Sequence, residues 1–292
     1  MGGITIKKAL FDYKTVYMPY RNFAERTREE YLNDLRDFME FLEERGIGNI
    51  QALGLPIIER YIARLEQDAF ASQTRKRKVV AIRSFLSFLY QEGYITTNIA
   101  KMVVLPFVDT TTPYVLTQRE CDRLRSACAG NTRDRAIIEL LLQTGIKLSE
   151  LVHLTVDDIE LGEKQNGSMR IRAGRGKKER IIPLNSKATA AISDYLSEKE
   201  GEQNRILFTN RFGEALGERG VQKMLRKYLK KAGIGNASIQ TLRHTFGTHH
   251  IAKGTDPKTV QEVLGLKDAR STAIYHSLAK EVIAREMQEN AL

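Results

Sequence analysis

The 292-residue chain is 42% hydrophobic and 28% charged, the balance of a globular protein with room for one large core or two ordinary ones. No apolar run approaches the ~20 residues of a membrane helix, and the opening MGGITIKKALFDYK lacks the apolar stretch of a signal peptide, so a cytoplasmic protein is expected. A formal charge of +10 favours a polyanionic partner, nucleic acid before acidic lipid, while Cys121 and Cys128 lie too far apart for a paired-cysteine metal knuckle and read as reduced structural thiols.

In chain order, TREEYLNDLRDFMEFLEERG carries Tyr31, Leu35, Phe38, Met39 and Leu42 at helical spacing, with Thr27 and Glu30 reading as a capping box and Gly46 as the stop. LPIIERYIARLEQ predicts a second helix with Pro56 near its start. SQTRKRKVVAIRSFLSFLYQEGY predicts a third, with Val79, Ile82, Phe85, Leu86 and Leu89 turned inward. Pro106, Pro113 and a threonine run then mark a connector. Thr117 and Glu120 open a second helical region that continues through RDRAIIELLLQTG and KLSELVHLT. SMRIRAGRGKKERIIPL reads as a hairpin whose strands, at Ile171 and Ile181–Leu184, flank a glycine-rich basic turn. RILFTN is a further candidate strand, and in DPKTVQEVLG, Asp256 caps, Pro257 starts and Gly265 stops a helix.

Charge divides unevenly. Up to Pro113 there are 16 basic and 14 acidic residues; after it there are 30 and 22. The first part nevertheless concentrates Arg75, Lys76, Arg77 and Lys78 at the start of one helix, where cations oppose the macrodipole and a phosphate would relieve them. VDDIE, Val156–Glu160, gathers acids, but no HExxH or Cys/His zinc spacing accompanies it, and no metal or other cofactor is expected.

Four segments of the second region carry a resemblance: TGIKLSEL (Thr144–Leu151), AGRGKKERIIPL (Ala173–Leu184), TLRHTFGTHH (Thr241–His250) and LGLKDARSTAIYHSL (Leu264–Leu278). Their order and spacing resemble the tyrosine recombinases, or phage-type integrases, especially the Xer-like group. Each piece alone is weak; the set is specific. The resemblance implies a mainly α protein with a small β-sheet. An all-α, SAM-like core-binding domain would span 1–108, a connector 109–116, and a mixed α/β catalytic domain 117–292, ending in a tail helix.

It also implies the chemistry. A tyrosine attacks a DNA phosphodiester, leaving a 3′-phosphotyrosyl link and a free 5′-hydroxyl without ATP or metal. Arginine forks stabilise the extra charge on the phosphate, and a lysine and histidines handle protons. Residue by residue, Tyr275 matches the nucleophile and Arg243 the second phosphate-binding arginine. Four positions depart. The first arginine is Lys147, which keeps the charge but loses the planar fork. The histidine expected three residues before Arg243 is Gln240, which cannot shuttle a proton near neutral pH. The histidine or tryptophan of the LGH-like segment is Leu266, which can only pack. The hairpin lysine falls on Arg175, a poor proton donor, leaving Lys177 or Lys178 to serve the leaving group. Glu150 matches a position that helps order the site.

Candidate DNA contacts are Arg75, Lys76, Arg77, Lys78 and Arg83 in the first region, with Lys178 and Arg180 on the hairpin. Either the chain belongs to a divergent branch that works with this altered set, or Lys147 is an engineered change that slows cleavage. His244 is expected to brace the Arg243 helix, and His249 and His250 to pack or lie at the surface. Val282, Ile283 and Met287 fit one apolar stripe on the tail, which in the family docks on a neighbouring protomer. The implied partners are duplex DNA with an inverted-repeat core site, a second copy on that site, and a tetramer formed by tail exchange, with no membrane. The expected role is integration or resolution of a mobile element or replicon, acting on DNA in the bacterial nucleoid. The alternatives are a DNA-binding architectural member of the fold without chemistry and a type IB topoisomerase-like enzyme.

Overall fold

A computed structural model describes residues 4–109, 112–162, 167–174, 178–199, 205–268 and 270–289. The chain divides into two compact units, Met1–Thr111 and Thr112–Leu292.

The first unit is helical: α1 (Ile6–Asp12), a π-helical turn at Tyr13–Tyr17, α2 (Met18–Tyr20), α3 (Glu25–Glu43), α4 (Leu55–Gln67) and α5 (Ser72–Gln91). Val79, Ile82, Phe85, Leu86 and Leu89 of α5 are all buried, as their spacing predicts. Aromatic rings fill the core: Tyr13 meets Phe85 edge-on at 5.4 Å, and Phe38 meets Tyr61 at 5.0 Å. Gly46 adopts φ +66°, the left-handed conformation expected where α3 ends. The Thr27–Glu30 capping box is not formed. The helix begins earlier, after extended Ala24, and Glu30 instead accepts from Arg26 Nε at 3.2 Å one turn back.

The second unit comprises α6 (Gln118–Cys128), α7 (Thr132–Thr144), α8 (Leu148–Leu151), β1 (Ile159–Leu161), β2 (Gly167–Ile171), β3 (Arg180–Leu184), α9 (Ser186–Glu198), α10 (Glu218–Lys231), α11 (Ile239–Ala252), α12 (Pro257–Leu264) and α13 (Arg270–Glu289). The predicted Thr117–Glu120 box closes in both directions, Glu120 N–H to Thr117 Oγ1 at 3.2 Å and Thr117 N–H to Glu120 Oε2 at 2.9 Å. Asp256, Pro257 and Gly265 cap, open and end α12 as expected. Val115 and Leu116 are buried in this unit, and Leu116 N–H donates to Thr245 Oγ1 at 3.0 Å.

The predicted hairpin is present as antiparallel β2 and β3, with Met169 opposite Ile182 and Ile171 opposite Arg180. Pro183, which has no N–H to donate, is accommodated because β3 lies at the edge of the described β1–β2–β3 sheet. Short β1 pairs with β2, Ile159 opposite Met169; with one half-buried and two exposed residues it leaves too little alternation to read. One expectation is corrected. RILFTN forms no strand. Leu207 and Phe208 are consecutive and both buried, and isolated bridges pin Ile206 to Thr155 and Thr209 to Ala215. Helices α7, α9 and α11 and the sheet enclose the main core, including Leu140, Leu141, Met169, Ile182, Ile192 and Leu242.

Candidate active site

Helix α11 opens on a Ser238 cap, whose side chain accepts from Thr241 N–H, and runs through the TLRHTFGTHH segment. Its third turn packs on α13 through Gly247. A Cβ at Gly247 would lie 2.7–3.0 Å from three ring carbons of Tyr275. The phenol is 2% exposed and rests against this bare stretch of backbone. Burial pushes the Tyr275 hydroxyl above the ordinary tyrosine value, against the pull of the Arg243 charge and its hydrogen bond.

Arg243 is itself buried. Its Nη1 donates to the carbonyl of Gly145 and its Nη2 to that of Leu264, both at 2.6 Å. Gly145 takes a left-handed conformation at the end of α7, φ +59°, and a Cβ there would strike Leu264 and Phe246 at 2.7 and 2.8 Å. Leu264 is the last residue of α12, so the guanidinium sits at the carbonyl end of that helix, where a cation is favoured. Burial lowers the Arg243 pKa, while Tyr275 and Glu150 oppose that shift.

Lys147 precedes α8, and its N–H donates to Glu150 Oε2 at 3.0 Å. Lys147, Gln240 and Arg243 line one cavity of 410 Å³, joined by Gln222 and Arg226 from α10. Arg226 and Gln222 were missed from sequence. Their signal was present in ERGVQKMLRKYLKK, where Val221, Met224, Leu225, Tyr228 and Leu229 are buried and the residues between them form a basic outer face.

Gln240 is exposed and stands 3.2 Å from His244, nitrogen to nitrogen. The His244 ring lies 5.7 Å from that of Tyr275; burial and the neighbouring Arg243 lower its pKa and favour the neutral ring. His249 Nε2 meets the Leu116 carbonyl at 2.8 Å, and the His250 ring packs on Phe246 at 4.4 Å, so both are structural. Leu266 is half-buried beside the small core of Val115, Phe246, Val260, Leu264, Leu278 and Val282. No metal-binding group of His, Cys, Asp and Glu occurs among the described residues. Cys121 and Cys128 are buried free thiols, each pushed up to about 11 by burial.

Glu150 and Arg180 form a bidentate pair, Nη1 to Oε1 at 3.1 Å and Nη2 to Oε2 at 2.8 Å. Burial alone would raise the Glu150 pKa; Arg180 and the Lys147 N–H more than offset this and hold it below the usual value. Arg180, expected to face DNA, is therefore engaged by protein acceptors. Arg175 and Lys177 lie outside the described residues; Lys178 is exposed.

The quartet at the start of α5 does not form one exposed face, and Lys78 departs from the expectation. Four consecutive helical residues point in four directions. Lys76 is exposed, Arg75 pairs with Glu66 at 2.7 Å and Arg77 with Asp34 at 2.6 Å. Lys78 is buried against Asp37 and Asp34, so carboxylates of α3, not phosphate, meet its charge. Arg83 is half-buried on the same helix.

Residues 114–281 match the phage integrase family and residues 12–93 match "Phage integrase, N-terminal SAM-like domain". The chain is 33% identical over 281 residues to tyrosine recombinase XerD of Bifidobacterium longum, covering 90% of each chain. It is 34% identical over 273 residues to tyrosine recombinase XerC of Listeria innocua, covering 89% of this chain and 90% of that one. Among solved structures, the fold is similar to XerH recombinase bound to palindromic difH substrate, at a TM-score of 0.76 and 20% identity, covering 93% of this chain and 81% of that one. It is also similar to a lambda integrase tetramer bound to a Holliday junction, at a TM-score of 0.77 and 16% identity, covering 94% and 78%. The chain belongs to the phage integrase family, the tyrosine recombinases.

Proposed function

We propose that this protein is a site-specific DNA recombinase whose Tyr275 carries the broken strand. The observation that supports this most is the phenol of Tyr275 seated on Gly247 beside the buried guanidinium of Arg243. Tyr275 Oη attacks the scissile phosphorus, the bond to the 5′-oxygen breaks, and the strand remains linked through its 3′-phosphate. Arg243, Lys147 and the carboxamide of Gln240 stabilise the phosphate oxygens as charge builds on them. A cation of the basic turn, Arg175, Lys177 or Lys178, serves the departing 5′-oxygen. Attack by the 5′-hydroxyl of a partner strand reverses the step and completes exchange.

The partner is duplex DNA with an inverted-repeat core, bound by two copies and joined by four in synapsis. Lys76, Arg83 and the outer face of α10 meet phosphates in this reading, and those contacts position the duplex while a few side chains read bases. The tail beyond Leu278 docks on a neighbouring copy. Val282 is buried in its own unit, whereas Ile283 and Met287 are exposed at 41% and 71%, so the three do not share one stripe as the sequence suggests. The exposed pair supplies the apolar contact for a neighbour. No helix among the described residues is long and apolar enough to cross a membrane. Action on chromosomal or plasmid DNA in the cytoplasm, resolving or integrating an element, is the role this reading favours.

The test is incubation with a nicked suicide duplex, followed by a denaturing gel. A protein–DNA band that Tyr275→Phe abolishes supports the reading. DNA binding with no such band identifies an architectural member, and relaxation of DNA without exchange between two sites identifies a topoisomerase.

A further inference from the structure

All three nitrogens of the Arg180 guanidinium donate to protein groups. Besides its two bonds to Glu150, its Nε donates to the carbonyl of Val263 at 2.8 Å. A Cβ at Gly265 would lie 3.1 Å from Arg180 Cζ and Nη1, so the turn that ends α12 lies directly against the guanidinium. Val263 and Leu264 are adjacent, and Leu264 offers its carbonyl to Arg243. The final carbonyls of one helix therefore hold both arginines. Glu150, clamped by Arg180, holds the backbone N–H of Lys147 with the same Oε2 that accepts from Arg180 Nη2.

We propose that Arg180 is a positioning residue for strand cleavage and not a phosphate contact: it fixes Lys147 and Arg243 in one frame through Glu150 and the end of α12. The inference rests on the recombinase reading. Two phosphate-binding cations come from different elements, α11 and the turn before α8. Their separation must match one phosphate to a fraction of an ångström for transition-state charge to be met. The Glu150 carboxylate holds the Lys147 side and the end of α12 holds Arg243; Arg180 joins the two, alongside the direct bond from Arg243 Nη1 to the Gly145 carbonyl. Lysine cannot replace it, because one ammonium does not reproduce a planar fork that grips a carboxylate and a carbonyl together.

The test uses the full chain with Arg180→Lys, Glu150→Gln and the double variant. Three quantities are read: duplex affinity across a salt series, the single-turnover rate of covalent complex formation, and the thermal midpoint. The wild-type covalent band, absent in Tyr275→Phe, first establishes the underlying reading independently of these variants. Each single variant is expected to lower the cleavage rate by about tenfold or more while affinity moves by less than about threefold. The double variant is expected to be no slower than the slower single, because both remove the same clamp. The salt dependence of binding is expected to stay unchanged in Arg180→Lys and in Arg180→Met, which keeps much of the stem but removes the charge. A salt slope smaller by about one phosphate in Arg180→Met makes Arg180 a DNA contact and overturns the proposal. Unchanged cleavage in both singles, or losses that multiply in the double, overturns it as well. If Arg180→Lys fails to fold, the rate and affinity of Glu150→Gln decide: tenfold slower cleavage at retained affinity supports the clamp, and wild-type cleavage refutes it.

Discussion

At the scale of single residues, the proposed chemistry rests on Tyr275 and its neighbours. Alanine is ordinarily favoured over glycine inside a helix by about 1 kcal/mol. Gly247→Ala should reverse this preference, since its methyl would meet the Tyr275 ring at 2.7 Å. Displacement of the phenol is expected to slow covalent complex formation by about tenfold or more, with duplex affinity retained in a filter-binding assay. Because burial raises the Tyr275 pKa, the phenol is neutral in the free protein at physiological pH. A difference titration of phenolate absorbance between wild type and Tyr275→Phe should show this group ionising later than an ordinary tyrosine. Lys147 stands in a cavity with room for a larger head group, beside Gln240 and Arg243. Lys147→Arg should restore a planar donor pair and raise the cleavage rate on a suicide substrate by about tenfold or more; an unchanged rate would mean that this chain has adapted to lysine. The motif singles out Tyr275 and Arg243 in the sequence, and the fold brings the two side chains together. The clamp of Arg180 is not legible, because it depends on which distant backbone carbonyls folding brings together; the basic face that carries Arg226 is readable in α10, but its place beside Arg243 is not.

Elements show the same division between what local patterning declares and what packing decides. Buried stripes at helical spacing and closed caps made α5, α6 and α12 readable, since each needs only neighbours along the chain. The four cations at the start of α5 do not face one way, because linear proximity says nothing about which side of a turn faces inward. Lys78 is sealed against Asp34 and Asp37, and burial raises the Asp34 pKa despite its cationic partners, Arg77 first. Lys78→Ala should leave Asp34 with Arg77 as its one remaining ion-pair partner among the described residues and destabilise the first unit by about 1–3 kcal/mol, measured by urea unfolding. Glu150 gives a second test, with a defined sign. Its folded pKa lies below the unfolded value of about 4.3, so its ion pair stabilises the protein above that pH and is lost as pH falls through the folded value. Acid unfolding of wild type should therefore steepen below about pH 4.3, and Glu150→Gln should remove that component.

Over the whole molecule, the excess positive charge after Pro113 accompanies the Tyr275 site in one unit, while the other contributes helices whose basic residues are partly neutralised by their own carboxylates. Duplex affinity is expected to fall steeply with salt, as counterion release requires. A chain truncated after Leu278 should still bind one duplex but fail to assemble on two, observed as loss of the slow-migrating complex in a native gel. Intact synapsis by the truncated chain would remove the tail from the assembly. The most direct measurement is the identity of the residue that holds the DNA. After trapping on a nicked duplex, nuclease digestion and proteolysis, the 3′-phosphate is predicted on Tyr275 in the segment STAIYHSLAK, Ser271–Lys280. An adduct on any other of the eleven tyrosines, or duplex binding with no adduct at all, would contradict it.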